Sequence, residues 1–277
     1  MLGGRREASQ LDELHVLAGV LSFAPMATPP GRLLGALPAS DRPLYEEVRA
    51  RLIEGISTGA WRPGEAIPAE GELARAFGVA VGTIRKAVDT LVAGQALVRR
   101  QGKGTFVTTH DGGRLMFHFF HIVERGGGKA YPQVRLLDFR RDRADADAAE
   151  ALGIAPSDKV IRIRNLLALS GRPAIVDDIT VPAQLFPGLT EKIFRERDAT
   201  IYALYQTRYG INIVRAAERL RATVADRASA RLLKVRAGAP LLEINRTAMT
   251  YHNTPVELRK SLVNTAEHEY WSDFGKG

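Results

Sequence analysis

The chain has 277 residues, 45% of them apolar and 25% charged, which is enough to bury two cores rather than one. Lys and Arg number 39 against 31 acids, a net charge of +8 that suits an anionic partner without choosing between nucleic acid, a membrane surface and solubility. Cysteine is absent, which excludes disulfides, thiolate nucleophiles and cysteine-ligated zinc and fits a reducing compartment, the cytoplasm.

No apolar run reaches the roughly 18 residues needed to span a bilayer, so no membrane partner is expected. Val16 to Ala27 is mildly apolar, but Glu7, Asp12, Glu13 and His15 interrupt the approach to it. Residues 1–40 carry Pro29-Pro30-Gly31, Pro38 and little periodicity, and read as a weakly ordered extension or linker. A helix is predicted from Pro43, capped by Asp41, with Leu44, Val48, Leu52 and Ile56 on one apolar stripe. Trp61-Arg62-Pro63-Gly64-Glu65 is a turn whose aromatic suits a core plug. Glu70 to Phe77 gives a second helix with Gly78 as its left-handed cap, and Val81 to Ala93 a third, stopped by Gly94. Ile84, Val88, Leu91 and Val92 face inward on the third helix, leaving Arg85, Lys86 and Asp89 outside. Short strands at Leu97–Arg100 and Thr105–Thr108 flank the glycine hairpin Gln101-Gly102-Lys103-Gly104.

Charge is uneven within this unit. Asp41 to Ile84 holds five cations and seven acids, whereas Arg85 to His110 holds five cations and one acid. The positive field therefore sits on the third helix and the hairpin. That order of elements, a helix-turn-helix followed by a basic wing, is built to set one helix in a DNA groove with a loop beside it.

Beyond His110 the pattern alternates. Met116–Val123, Tyr131–Arg141, Lys159–Leu169, Ala174–Val181, Val214–Ala225, Leu241–Tyr251 and Val256–Asn264 read as strands. Asp145–Leu152, Ile201–Tyr209 and Asp226–Lys234 read as helices. The fold class is thus α+β: an N-terminal winged helix-turn-helix over 41–109 joined to a mainly antiparallel sheet domain over 112–272. Period two places Glu218 on the face of Leu220, Ala222 and Val224. It places Arg246 with Leu242, Ile244 and Ala248, and Asp177 with Ile175, Ile179 and Val181. Three charged groups pointing where apolar neighbours point must find partners, either as structural ion pairs or as the wall of a polar pocket.

Two stretches resemble a known family. Pro43-Leu44-Tyr45, Pro63-Gly64, Pro68-x-Glu70-x-Glu72-Leu73-Ala74, Phe77-Gly78-Val79, Thr83-Ile84-Arg85-x-Ala87 and Gly102-Lys103-Gly104-Thr105-Phe106-Val107 are similar to the winged helix of GntR-type bacterial transcription regulators. The resemblance, together with the charge pattern, implies DNA contacts from Thr83, Arg85, Lys86, Arg100, Lys103, Gly104 and Thr105. Two departures stand out. The family usually has Ser-Glu-Arg-Glu where this chain has Ala69-Glu70-Gly71-Glu72, and Val-Ser-Arg where it has Val79-Ala80-Val81. The missing arginines are expected DNA contacts, and the missing serine would cap the recognition helix, at about 1 kcal/mol. The expected result is an unusual operator, weaker binding, or compensation from Arg85, Lys86 and Lys103.

Gly171-Arg172-Pro173, Phe186-Pro187-Gly188-Leu189, Tyr209-Gly210, Gly238-x-Pro240-Leu241-Leu242 and Pro255-Val256-Glu257 resemble the UTRA effector domain of the HutC subfamily. That implies a chorismate-lyase-like fold, a homodimer and a small polar effector facing Asp177 and Glu257. The strand faces add Glu218 and Arg246 to the expected effector site, and two-fold symmetry implies a palindromic double-stranded operator. Relatives that sense phosphosugars tend to carry Arg-x-Arg before the Gly-x-Pro turn. Here that pair falls on Asn165 and Leu167, with Arg162 and Arg164 out of register, so a phosphorylated sugar is not expected. His118 and His121, three apart in a strand, make a poor metal pair, and neither a dinucleotide loop, a Walker lysine nor a nucleophile elbow is present, so no metal, cofactor or catalytic residue is expected. The alternatives are an enzyme of chorismate-lyase-like fold with a vestigial winged helix, and a DNA-packaging protein with little sequence choice.

Overall fold

The computed structural model describes residues 34–37, 41–109, 119–126 and 131–272. The expected extension lies outside the described residues except for 34–37, where Leu34 and Leu37 pack against the N-terminal core. His118 and the start of the strand expected from Met116 also lie outside them.

Three helices and a hairpin form the N-terminal unit: α1 (Leu44–Ser57), α2 (Glu70–Phe77), α3 (Val81–Ala93), β1 (Leu97–Arg100) and β2 (Gly104–Val107). Val48, Leu52 and Ile56 are buried as their four-residue spacing requires, but Leu44, expected on the same stripe, is 53% exposed. The helix overshoots its partners there. Asp41 does not cap it either: Pro43 occupies the N-cap position, and no side chain bonds the first amides. Trp61 plugs the core at 4% exposure, against Gly55 in mid-helix. A Cβ on Gly55 would lie 2.2 Å from the indole Cζ3, so only glycine lets the ring in. Leu52, Leu73, Phe77, Ile84 and Leu97 complete the interior, each worth about 1.5–3 kcal/mol of burial. Gly78 ends α2 in the left-handed conformation at φ 69°, as expected. In the hairpin Arg100 pairs with Gly104, leaving a three-residue loop that needs positive φ at Gly102.

The second unit is a six-stranded, wholly antiparallel sheet. Its strands are β4 (Gln133–Arg143), β5 (Lys159–Leu169), β6 (Arg172–Pro182), β7 (Arg215–Val224), β8 (Pro240–Met249) and β9 (Pro255–Val263), in the order β4-β5-β6-β9-β8-β7. Two short strands, β3 (Ile122–Glu124) and β10 (His268–Tyr270), pair apart from it. The strand expected over Met116–Val123 is thus shortened to β3 among the described residues.

Alternation assigns the faces. On one, α4 (Ala146–Leu152) packs with Val160, and α7 (Arg227–Leu233) with Leu166, Val176 and Leu241. On the other, α5 (Glu191–Arg195), α6 (Ile201–Tyr209) and Phe119 cover Ile161, Ile163, Ile179, Val181 and Ala248. Each of these four helices opens on a side-chain cap: Asp145, Thr190, Thr200 and Asp226 in turn accept an amide N–H three residues on.

Candidate functional site

The expected DNA contacts lie on α3 and the hairpin. Arg85, Lys86, Arg100, Lys103 and Gly104 are exposed, and Thr83 and Thr105 half-buried. Glu70, at the start of α2, organises the cations. It accepts Arg85 Nε at 3.0 Å and Arg99 Nη2 at 2.9 Å, and Arg99 also reaches Asp89 at 2.5 Å. One carboxylate thereby fixes α3 relative to the wing. Arg99 was not among the expected contacts, although it stands beside Arg100 in the same basic run. Lys86 turns back, its Nζ 3.9 Å from the Tyr45 ring centroid, and the Arg100 guanidinium lies 4.6 Å over Phe106. These pairs are exposed, so each contributes at most about 1 kcal/mol to folding, and their charges remain available to a polyanion. Between the helices and the hairpin lies a cleft of about 530 Å³ whose walls include Glu70, Val88, Arg99, Lys103 and Thr105.

The replaced family residues are visible here. Ala80 occupies the N-cap position of α3, and no side chain bonds its first amides. At α2, Glu72 accepts the Ala69 amide at 3.0 Å, but alanine has no oxygen to return the bond.

In the sheet domain all four predicted effector residues come together on the face covered by α6. Asp177, Glu257 and Arg246 are buried, and the Glu218 side chain is only 10% exposed. Arg246 Nε donates to Glu218 Oε1 at 2.6 Å, and its Nη2 to the Phe119 carbonyl. Tyr270 donates to the other Glu218 oxygen. Period two gave no sign of Tyr270, whose strand is three residues long.

The centre of this network is Arg259, which the sequence reading missed. It bridges Glu257 (Nε to Oε1, 2.9 Å) and Asp177 (Nη1 to Oδ2, 3.3 Å). The signal was available, since Glu257, Arg259 and Ser261 alternate along β9 on the same face as Asp177. Ser261 Oγ donates to Asp177 Oδ1 at 2.6 Å. Tyr202 and Tyr205 donate to Glu257 at 3.2 and 2.8 Å from α6.

Burial disfavours every charge here, and the pairs decide the outcome. It raises Asp177 above the usual carboxylate range despite Arg259. Burial opposes ionisation of Glu218 too, but Arg246 and Tyr270 outweigh it and hold that carboxyl low. Tyr202 is pushed up to about 12 by burial and by Glu257. Burial works against the Arg259 charge, yet Glu257 and its neighbours hold the guanidinium above its ordinary value.

Asn165 is fully buried, in cross-strand register with Asp177, and neither of its amide atoms has a hydrogen-bond partner. Arg164 and Arg162 project from the opposite face, Arg164 to Asp178 at 2.6 Å and Arg162 to Asp145 at 2.6 Å. The out-of-register arginines are therefore turned away from the cluster. Among the described residues no group of histidines and carboxylates could hold a metal, and no helix is long and apolar enough to cross a membrane.

Residues 44–107 match the family described as bacterial regulatory proteins, gntR family, and residues 128–269 match the UTRA domain. The "Probable fructoselysine utilization operon transcriptional repressor" of Escherichia coli K12 is 32% identical over 217 residues, 78% of this chain and 88% of that protein. The histidine utilization repressor of Pseudomonas putida is 26% identical over 255 residues, 91% of this chain and 100% of that protein. Among solved structures, the ligand-binding domain of a GntR-family transcriptional regulator from Bordetella bronchiseptica aligns with TM-score 0.55 and 34% identity, covering 57% of this chain and 98% of that one. With a winged helix presenting its cations, a UTRA sheet behind it and relatives that are repressors rather than enzymes, the chain belongs to the GntR family and is a DNA-binding transcription regulator.

Proposed function

We propose that the protein is a homodimeric cytoplasmic repressor that binds a palindromic operator through α3 and the wing and leaves it when a small polar metabolite occupies the sheet domain. The observation that carries the first half is the single carboxylate of Glu70 holding Arg85 on α3 and Arg99 on the hairpin at one open face. Thr83 and Arg85 face the groove, Lys86 reaches it by leaving the Tyr45 ring, and Arg100, Lys103, Gly104 and Thr105 follow the backbone beside it. Two-fold symmetry of the dimer sets the symmetry of the operator.

The second half rests on the buried cluster of Asp177, Glu218, Arg246, Glu257 and Arg259. Its groups are satisfied by one another, by Ser261, Tyr202, Tyr205 and Tyr270, and by the Phe119 carbonyl, whereas Asn165 beside them has two unsatisfied polar atoms. A ligand carrying a hydroxyl or amide would supply those bonds, since an unsatisfied buried amide is costly. The relatives named above are called repressors of fructoselysine and histidine utilization, which supports reading the ligand as a small metabolite. Footprinting on the DNA flanking its own gene tests this reading. A protected palindrome is the expected result, and a specific-to-nonspecific affinity ratio near one would mean a packaging role instead.

A further inference from the structure

Helix α6 has two attachments. Toward the sheet, Tyr202 and Tyr205 donate to Glu257. One residue further on, Gln206 is buried and turns its amide to the other unit. Nε2 donates one proton to the carbonyl of Thr108, immediately after β2, and the other to Asn212 Oδ1, both at 3.0 Å. Asn212 Nδ2 donates onward to the Tyr251 hydroxyl at 2.7 Å. Tyr251 belongs to the turn between β8 and β9, yet it is buried in the core of the winged helix, with Val214 packed alongside. That turn is held by left-handed backbone at His252 and Asn253, φ 59° and 57°, and leads straight into the strand carrying Glu257. A helix and a strand therefore both run from one buried carboxylate to one seam between the two units.

We infer that Gln206 is the positioning residue that couples the effector cluster to the wing. The inference rests on reading that cluster as the effector site. Both Nε2 protons are committed, one to each unit, so the amide cannot turn without withdrawing its donor from the Thr108 carbonyl and from Asn212 Oδ1 together. Such a contact has discrete arrangements, not a continuum, which is what transmission between sites requires. A ligand that takes Glu257 frees the two tyrosines, α6 shifts, and Gln206 carries the shift to the strand that ends in the wing.

The test uses the full chain and needs no effector. Operator affinity is measured for the wild type, Tyr205→Phe, Gln206→Met and the double variant, with melting curves for each. Each single change should weaken binding about fivefold or more, within the usual range of allosteric coupling. The double should bind no more weakly than the weaker single. Hydrogen exchange of the amides from Phe106 to Thr109 should quicken in Tyr205→Phe, and should quicken no further when that change is added to Gln206→Met. Effects that multiply, or a Gln206→Met protein with wild-type affinity and exchange, overturn the inference. Asn212→Leu cuts the same relay and is judged by the same outcomes should Gln206→Met fail to fold. If the wild type binds no operator, the proposed function fails, while the exchange measurements still decide the coupling.

Discussion

The two units handle charge in opposite ways. In the winged helix Arg85 and Arg99 are exposed and bonded lightly to Glu70 and Asp89, and α1, α2 and α3 lack side-chain N-caps. In the sheet domain Asp177, Glu218, Arg246, Glu257 and Arg259 form a buried network, and the four helices described above are capped by Asp or Thr. The first arrangement leaves its polar groups for a partner to complete, and the second completes its own apart from the Asn165 amide. What differs is where the free energy sits: at the exposed face proposed to meet DNA little is lost by exchanging ion pairs for phosphates, whereas in the cluster any loss falls on folding.

The sharpest way to break the comparison is Glu257→Gln. It removes the charge opposing Arg259 and weakens two tyrosine contacts, so unfolding free energy should fall by about 3–5 kcal/mol in denaturant titration. A fall comparable with that for Glu70→Gln, within about 1 kcal/mol, would make the two units alike. Next, Arg85→Ala should cost about 1–3 kcal/mol of operator binding if it reads a guanine, with stability moving by less than about 0.5 kcal/mol. Fluorescence anisotropy and thermal melting separate the two effects.

A smaller effect is in acid. Because Glu218 is held low in the folded state, its stabilisation is present above its unfolded value, about 4.3, and is lost as pH falls through the folded one. Asp177 is shifted the other way, so it penalises folding as pH rises through its folded value. Glu218→Gln should therefore flatten the acid limb of a stability–pH curve, and an unchanged limb would show that the pair contributes nothing. The smallest change is Lys103→Ala, which should lower the salt slope of operator binding by about one with sequence preference intact.

Much of the fold was legible because its signals are local. Gly78 and Gly94 bracket α3, and its observed bounds are the expected ones. Alternation located the six long strands to within a few residues. What was missed depends on contacts distant in sequence or on elements too short for periodicity. Helix α5 has five residues, and β10 exists only by pairing with β3. The buried cluster was half legible: the faces of Asp177, Glu218 and Arg246 follow from period two, and Arg259 would have followed from the same rule applied to β9. Gln206 could not be found this way, because its partner Thr108 lies in the other unit.

The indole seated against Gly55 also limits how this regulator can be hardened. Replacing a mid-helix glycine by alanine is the ordinary route to a stiffer helix, gaining about 0.5–1 kcal/mol. In α1 that route is closed, since the new methyl would enter the Trp61 ring. Gly71 and Gly82 stand in the first turns of α2 and α3, where the gain is smaller, but an added Cβ there meets nothing within 4 Å. An engineer seeking a thermostable version should therefore leave the first helix untouched and work on the two that follow it.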